Sequence, residues 1–259
     1  MSGNGYTDHQ KVTIVLLGAP GVGKSSIVKQ FVNHTFSEEY EPSEEKSIYF
    51  PSAVINEHVY DLKIVDCPYI PYFPSNSLQE WTDFRGLSLR QATAYVLVYD
   101  ITSEDSFSYM KALREQILDS RDMHDVPLFI VGNKYDLAED RGVSRRDVVN
   151  MVKKHRKCIH VECSAKYNWH IIFLFKELMK KQMLINSSAA KLATILIKRP
   201  DRGRSNFMTT QLFSQKRANV VATFVVKHPV NVGIYPHFIY HDLDVDQQLI
   251  NCSMCRNSI

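Results

Sequence analysis

The sequence predicts an α/β fold, a mostly parallel six-stranded sheet with helices on both faces. Two observations carry this. Short apolar, β-rich runs alternate with segments of helical periodicity, which is the pattern of strands joined by crossover helices. The connection between the second and third runs, near Ile55 to His58, is too short for a crossover, so that pair must be antiparallel. The chain's 259 residues, 44% hydrophobic and 23% charged, suffice for one such domain with an extension.

The first strand, Val12 to Leu17, runs into a glycine-rich junction, and a helix carrying Ile27, Val28 and Phe31 follows. Lys46 to Ile55 and Val59 to Val65 form the antiparallel pair, and Ala94 to Tyr99, Pro127 to Val131 and Ile159 to Glu162 complete the sheet. The last helix is the clearest, with Ile171, Leu174, Phe175, Leu178 and Met179 on one face. Its pattern stops near Asn186. The domain organisation read from this is an N-terminal arm over 1–10, a nucleotide-fold domain over 11–185 and an extension over 186–259, expected to be weakly ordered. Within the extension, Val220 to Val226 and Ile234 to Tyr240 have strand propensity and suggest a small hairpin.

The junction after the first strand reads Gly18-Ala19-Pro20-Gly21-Val22-Gly23-Lys24-Ser25, with Ser26 next, and fits G-x-x-x-x-G-K-[ST] between a strand and a helix. Glycines let backbone N–H groups close around phosphate oxygens. The helix N-terminus adds positive potential, a lysine neutralises β and γ charge, and a serine hydroxyl ligates Mg²⁺. The fold class is therefore that of P-loop nucleotide hydrolases. A small-molecule kinase would share this loop. It would leave two further strings unexplained: Asn133-Lys134-x-Asp136 after the fifth strand, and Ser164-Ala165-Lys166 after the sixth. An aspartate facing a purine can accept from guanine N1–H and the exocyclic amine, which adenine does not offer. The Ser-Ala-Lys turn would supply a backbone N–H to guanine O6.

These strings resemble the Ras superfamily of small GTPases over residues 11 to about 185. ECSAKYNWH (162–170), SLQEW (77–81) and DCPYIPYFP (66–74) are nearer still to its Ras-like family member ten subgroup, B-type. The resemblance implies GTP/GDP and Mg²⁺ as ligands. It places Phe36 against the guanine ring, Ser43 as the hydroxyl that senses the γ-phosphate, and Ser25, Ser43 and Asp66 around the metal. It also implies effector and regulatory proteins docking through Glu38 to Phe50 and Asp66 to Phe84, and a monomer.

Where the family pattern reads D-x-A-G-Q, this chain has Asp66-Cys67-Pro68-Tyr69-Ile70. Tyr69 replaces a glycine and Ile70 the water-orienting glutamine, while Pro20 crowds the phosphate loop. No catalytic residue is therefore assigned; slow GTP hydrolysis is expected, with Ile70→Gln raising turnover. Tyr69, Tyr72, Gln79 and Arg85 are candidate substitutes. Pro68, Pro71 and Pro74 stiffen the loop, with Trp81 and Phe84 beneath it. The alternative is an interaction scaffold, loaded with nucleotide or free of it.

A formal charge of +3 does not argue for nucleic acid. No apolar leader opens the sequence, no run reaches the roughly 20 residues of a membrane span, Ser2 stands where myristoylation needs glycine, and Arg256 stands where a prenylation box needs cysteine. A cytoplasmic location is expected. The inner face of the plasma membrane is a further option through the basic tail, Lys191 to Arg217. Cys67 reads as an inert thiol, and Trp169, at the head of the last helix, as packing.

Overall fold

The computed structural model describes residues 10–55, 58–74, 78–120, 126–154, 158–197 and 222–225. Its sheet is built from β1 (Gln10–Gly18), β2 (Ser47–Tyr49), β3 (Ser52–Ile55), β4 (His58–Asp66), β5 (Ala94–Asp100), β6 (Leu128–Asn133), β7 (Cys158–Glu162) and β8 (Ala222–Val225). The order across the sheet is β7-β6-β5-β1-β4-β3-β8, with β2 also pairing with β4. β1 lies parallel to both β4 and β5, and β5, β6 and β7 continue parallel. β2 and β3 run antiparallel to β4.

The expected strand Lys46 to Ile55 is two strands. Pro51 has no N–H to give the ladder, so pairing lapses at Phe50 and Pro51, although the Pro51 carbonyl still accepts from Leu62 N–H at 2.9 Å.

Alternation along β1 sends Ile14 and Leu16 to one face and Val15 and Leu17 to the other. On the first face, α1 (Lys24–Asn33) and α5 (Ile171–Ile197) cover the sheet, and Phe31 stacks on Phe175 with ring centroids 3.7 Å apart. On the second, α3 (Glu104–Ser120) presents Phe107, Met110, Leu113 and Ile117. Residues of α4 (Arg145–Lys154) join the same cluster, and a short α2 (Leu78–Asp83) contributes Trp81. Both faces of β5 are buried throughout, as expected for a central parallel strand.

Two features of the C-terminal part differ from the sequence reading. α5 runs unbroken through Asn186 to Ile197, because Ala189, Ala190, Leu192 and Ala193 are strong helix formers whatever the local polarity. β8 does not begin a separate hairpin; it pairs antiparallel with the edge strand β3, Ser52 opposite Val225 and Ile55 opposite Ala222. Its expected partner, Ile234 to Tyr240, and the basic residues beyond Ile197 lie outside the described residues. No helix among the described residues is long and apolar enough to cross a membrane.

Candidate functional site

The ends of β1, β4, β6 and β7 point their following loops at one cleft of about 710 Å³. Gly23 enters α1 with φ of 91°, and a Cβ there would stand 2.3 Å from Asn133 Nδ2. Only glycine meets both demands. Lys24 is buried, and its Nζ donates to the Gly18 and Ala19 carbonyls at 2.9 and 3.1 Å, which folds the loop around the ammonium. Burial lowers its pKa, while Asp66 pulls the other way. No acidic residue occupies the first turn of α1, so the positive end of the helix is not offset.

Three oxygen-bearing side chains from three elements meet beside the lysine. Ser25 Oγ on α1 lies 3.0 Å from Ser43 Oγ and donates to Asp66 Oδ2, at the end of β4, at 2.5 Å. Asp66 is 2% exposed, yet its Oδ1 has no hydrogen-bond partner. Burial raises its pKa, against the opposing pull of Ser25 and then Lys24. A buried carboxylate oxygen without a partner, beside two hydroxyls, fits a hard divalent cation. In metal-free buffer, Asp66→Asn should therefore raise thermal stability, on the order of 1–3 kcal/mol. Added Mg²⁺ should stabilise the wild type and leave the variant unmoved; paired melting curves with and without chelator check both.

The base-side loops are cross-tied by Asn133, which is 2% exposed. Its Nδ2 donates to the Val22 carbonyl at 2.9 Å, and its Oδ1 accepts from Ala165 N–H at 3.1 Å. Asn133 thus binds one loop to another, and the Ala165 N–H, expected on guanine O6, is engaged with it. Asp136 Oδ1 accepts from Ser164 Oγ at 2.5 Å, which fixes the carboxylate. Lys134 holds a left-handed backbone, φ 65°, and pairs with Asp100 at 2.7 Å. Phe36 stands 38% exposed at the rim, where Lys166 bridges to Glu38 at 2.8 Å.

Of the expected binding residues, Gly18, Ala19, Val22 and Ser164 do not line the cleft, and the others do. Lys29, Thr35 and Tyr49 line it without having been anticipated. Lys29 was legible, since it lies four residues after Ser25 on the same helix face.

A model of the Ras family matches residues 13–184. The chain belongs to the Ras family. It is 51% identical over 169 residues to Ras-like protein family member 10B of Homo sapiens, covering 64% of this chain and 83% of that protein. It is 42% identical over 170 residues to Ras-like protein family member 10A of Mus musculus, covering 64% and 84%, and 41% identical to the human 10A protein with the same coverage. As a Ras-family member it is a GTP-binding signalling protein of the small-GTPase class.

The second switch of this Ras-family chain is tied to the core. Cys67, Ile70 and Phe73 are buried, whereas Tyr69 is 50% exposed and lines the cleft. Ile70 packs into the cluster beneath the sheet and so does not stand where a cleft-facing glutamine would. Its carbonyl accepts from Tyr109 Oη of α3 at 2.5 Å, and Phe73 N–H donates to Gln116 Oε1 at 2.7 Å. Phe73 meets Trp81, and Tyr72 meets Phe84, edge to face at 5.7 and 5.5 Å. Burial pushes the Cys67 thiol up to about 12, which leaves it protonated and unreactive at neutral pH.

Proposed function

We propose that this protein binds GTP and GDP with Mg²⁺ and hydrolyses GTP slowly until a partner completes the catalytic site. The carrying observation is the burial of Ile70 at the position of the water-orienting glutamine, with Tyr69 alone of that pair facing the cleft. Ser25, Ser43 and Asp66 would hold the ion, which when bound neutralises β and γ phosphate charge. Lys24 and the N–H groups from Gly21 to Ser26 would cradle the phosphates. Asp136, fixed by Ser164, would accept from the guanine edge, and Phe36 would cover the ring. Effectors and regulators would dock on Glu38 to Phe50 and Asp66 to Phe84, where Tyr40, Phe50, Tyr69 and Tyr72 are exposed.

The test is to purify the full chain in Mg²⁺, denature it and identify what it releases, then time one turnover of GTP. The expected results are bound GTP and a rate below the roughly 10⁻⁴ s⁻¹ of unaided Ras. Bound GDP with a faster rate would mean that another group orients the water.

A second reading is supported by the ties from Ile70 and Phe73 to α3. A switch held this way would change little between nucleotides, and the protein would act as a nucleotide-loaded scaffold. Hydrogen exchange across Asp66 to Phe84, compared between GDP and a non-hydrolysable GTP analogue, separates the readings. Equal protection favours the scaffold.

A further inference from the structure

Trp169 lines no part of the cleft, yet it touches both loops that would read the base. Its ring stacks on Tyr135, with centroids 4.3 Å apart and planes 21° from parallel. Tyr135 lies between Lys134 and Asp136. The Trp169 backbone pairs both ways with Ser164, N–H to carbonyl at 3.0 Å in each direction. The indole stacks in turn on His170, centroids 3.6 Å apart, and His170 Nδ1 lies 3.0 Å from the Glu162 carbonyl. On Tyr135, Arg145 adds a guanidinium 5.5 Å from the ring and a bond to the hydroxyl at 3.1 Å. Arg145, Tyr135, Trp169 and His170 therefore form one continuous ladder behind the base-side loops.

The ladder stands where the sheet stops holding those loops together. Pairing of β6 with β7 ends at Gly132 opposite Glu162. Beyond that point single hydrogen bonds join the loops, among them Tyr135 N–H to Cys163 O at 3.1 Å and Ser164 Oγ to Asp136. Individual bonds of this kind near solvent exchange readily with water, whereas a stacked ring pair resists shear between the segments that carry it.

We infer that Trp169 is a positioning residue for base recognition, clamping the Asp136 loop to the Ser164 loop so that the carboxylate keeps the orientation that reads guanine. The inference rests on the guanine-binding reading proposed above. Trp169 acts through Tyr135 and Ser164 and touches no ligand itself. Its loss should therefore weaken contacts to the base edge and spare those to the phosphates, which are made by the separate loop before α1.

The test compares GDP with inosine diphosphate, which lacks the exocyclic amine, in Mg²⁺ with the full chain. Trp169→Leu, which keeps apolar bulk without the stacking surface, should weaken GDP more than inosine diphosphate and shrink their affinity ratio by about 2- to 10-fold. Trp169→Phe should keep most of the ratio. Equal weakening of both ligands, or no change, in a folded Trp169→Leu chain overturns the inference and indicates a purely structural role. A wild-type chain that does not prefer GDP to inosine diphosphate overturns instead the guanine reading beneath it. A second measurement leaves Trp169 in place. The chain's two tryptophans are Trp81 and Trp169, so in a Trp81→Phe chain the emission reports on Trp169 alone. GDP should shift that emission and inorganic pyrophosphate should not; an emission indifferent to GDP counts against the clamp.

Discussion

Replacing Ile70 by glutamine is expected to lower stability by about 2–4 kcal/mol and to leave GTP turnover unimproved. From the sequence alone the opposite rate effect was expected, because the residue occupies the glutamine's position in the pattern. Position in a string is not position in space. Ile70 is 2% exposed and packs with the cluster that contains Phe73, Tyr95 and Met110. A glutamine there either buries an unpaired amide or pulls the segment off α3, breaking the bond between the Ile70 carbonyl and Tyr109. Chemical denaturation with parallel single-turnover hydrolysis measures both parts. A stable variant with faster turnover would show that the loop can turn this side chain into the cleft, and would restore the simpler account of the missing glutamine.

The second large effect is expected at Asn133. Asn133→Ala strands the Val22 carbonyl and the Ala165 N–H, both served by its amide. At about 1–3 kcal/mol for each buried group left without a partner, the loss totals on the order of 2–5 kcal/mol. Much of it should appear as faster nucleotide release, because the phosphate loop and the base loop lose their shared tie. An increase of about 10² to 10³ in the GDP dissociation rate is expected, followed with a fluorescent analogue. Unchanged release from a folded variant would mean that the loops are held independently, and that the tie serves folding alone.

Much of the fold was legible because its strands are uniform and its helices periodic. β5 is buried along its whole length, and α5 repeats Ile171, Leu174, Phe175 and Leu178 on one face. The phosphate loop was legible for another reason: its glycines answer local backbone demands, such as the positive φ and close contact at Gly23. Less visible were features set by tertiary contact. Nothing in the string DCPYI tells that Cys67 and Ile70 turn inward while Tyr69 turns to the cleft. Asn133 looked like a base contact, since its partners Val22 and Ala165 lie 111 and 32 residues away. Pro51 and the alanines after Asn186 did carry signals, a missing ladder donor and high helix propensity, which were outweighed by the β-rich and basic residues around them.

The pairing of β8 with β3 also has a consequence in time. Ala222 meets Ile55 across the edge of the sheet, so this contact closes one of the longest loops in the molecule, and its entropic cost falls late in folding. During synthesis the phosphate loop, β6 and β7 have left the ribosome before that strand exists. Until it arrives, the β3 edge presents unpaired amides and carbonyls to any extended chain nearby. The newborn protein therefore passes through an interval in which it can recruit a foreign strand at this edge, an interval that its own tail later ends.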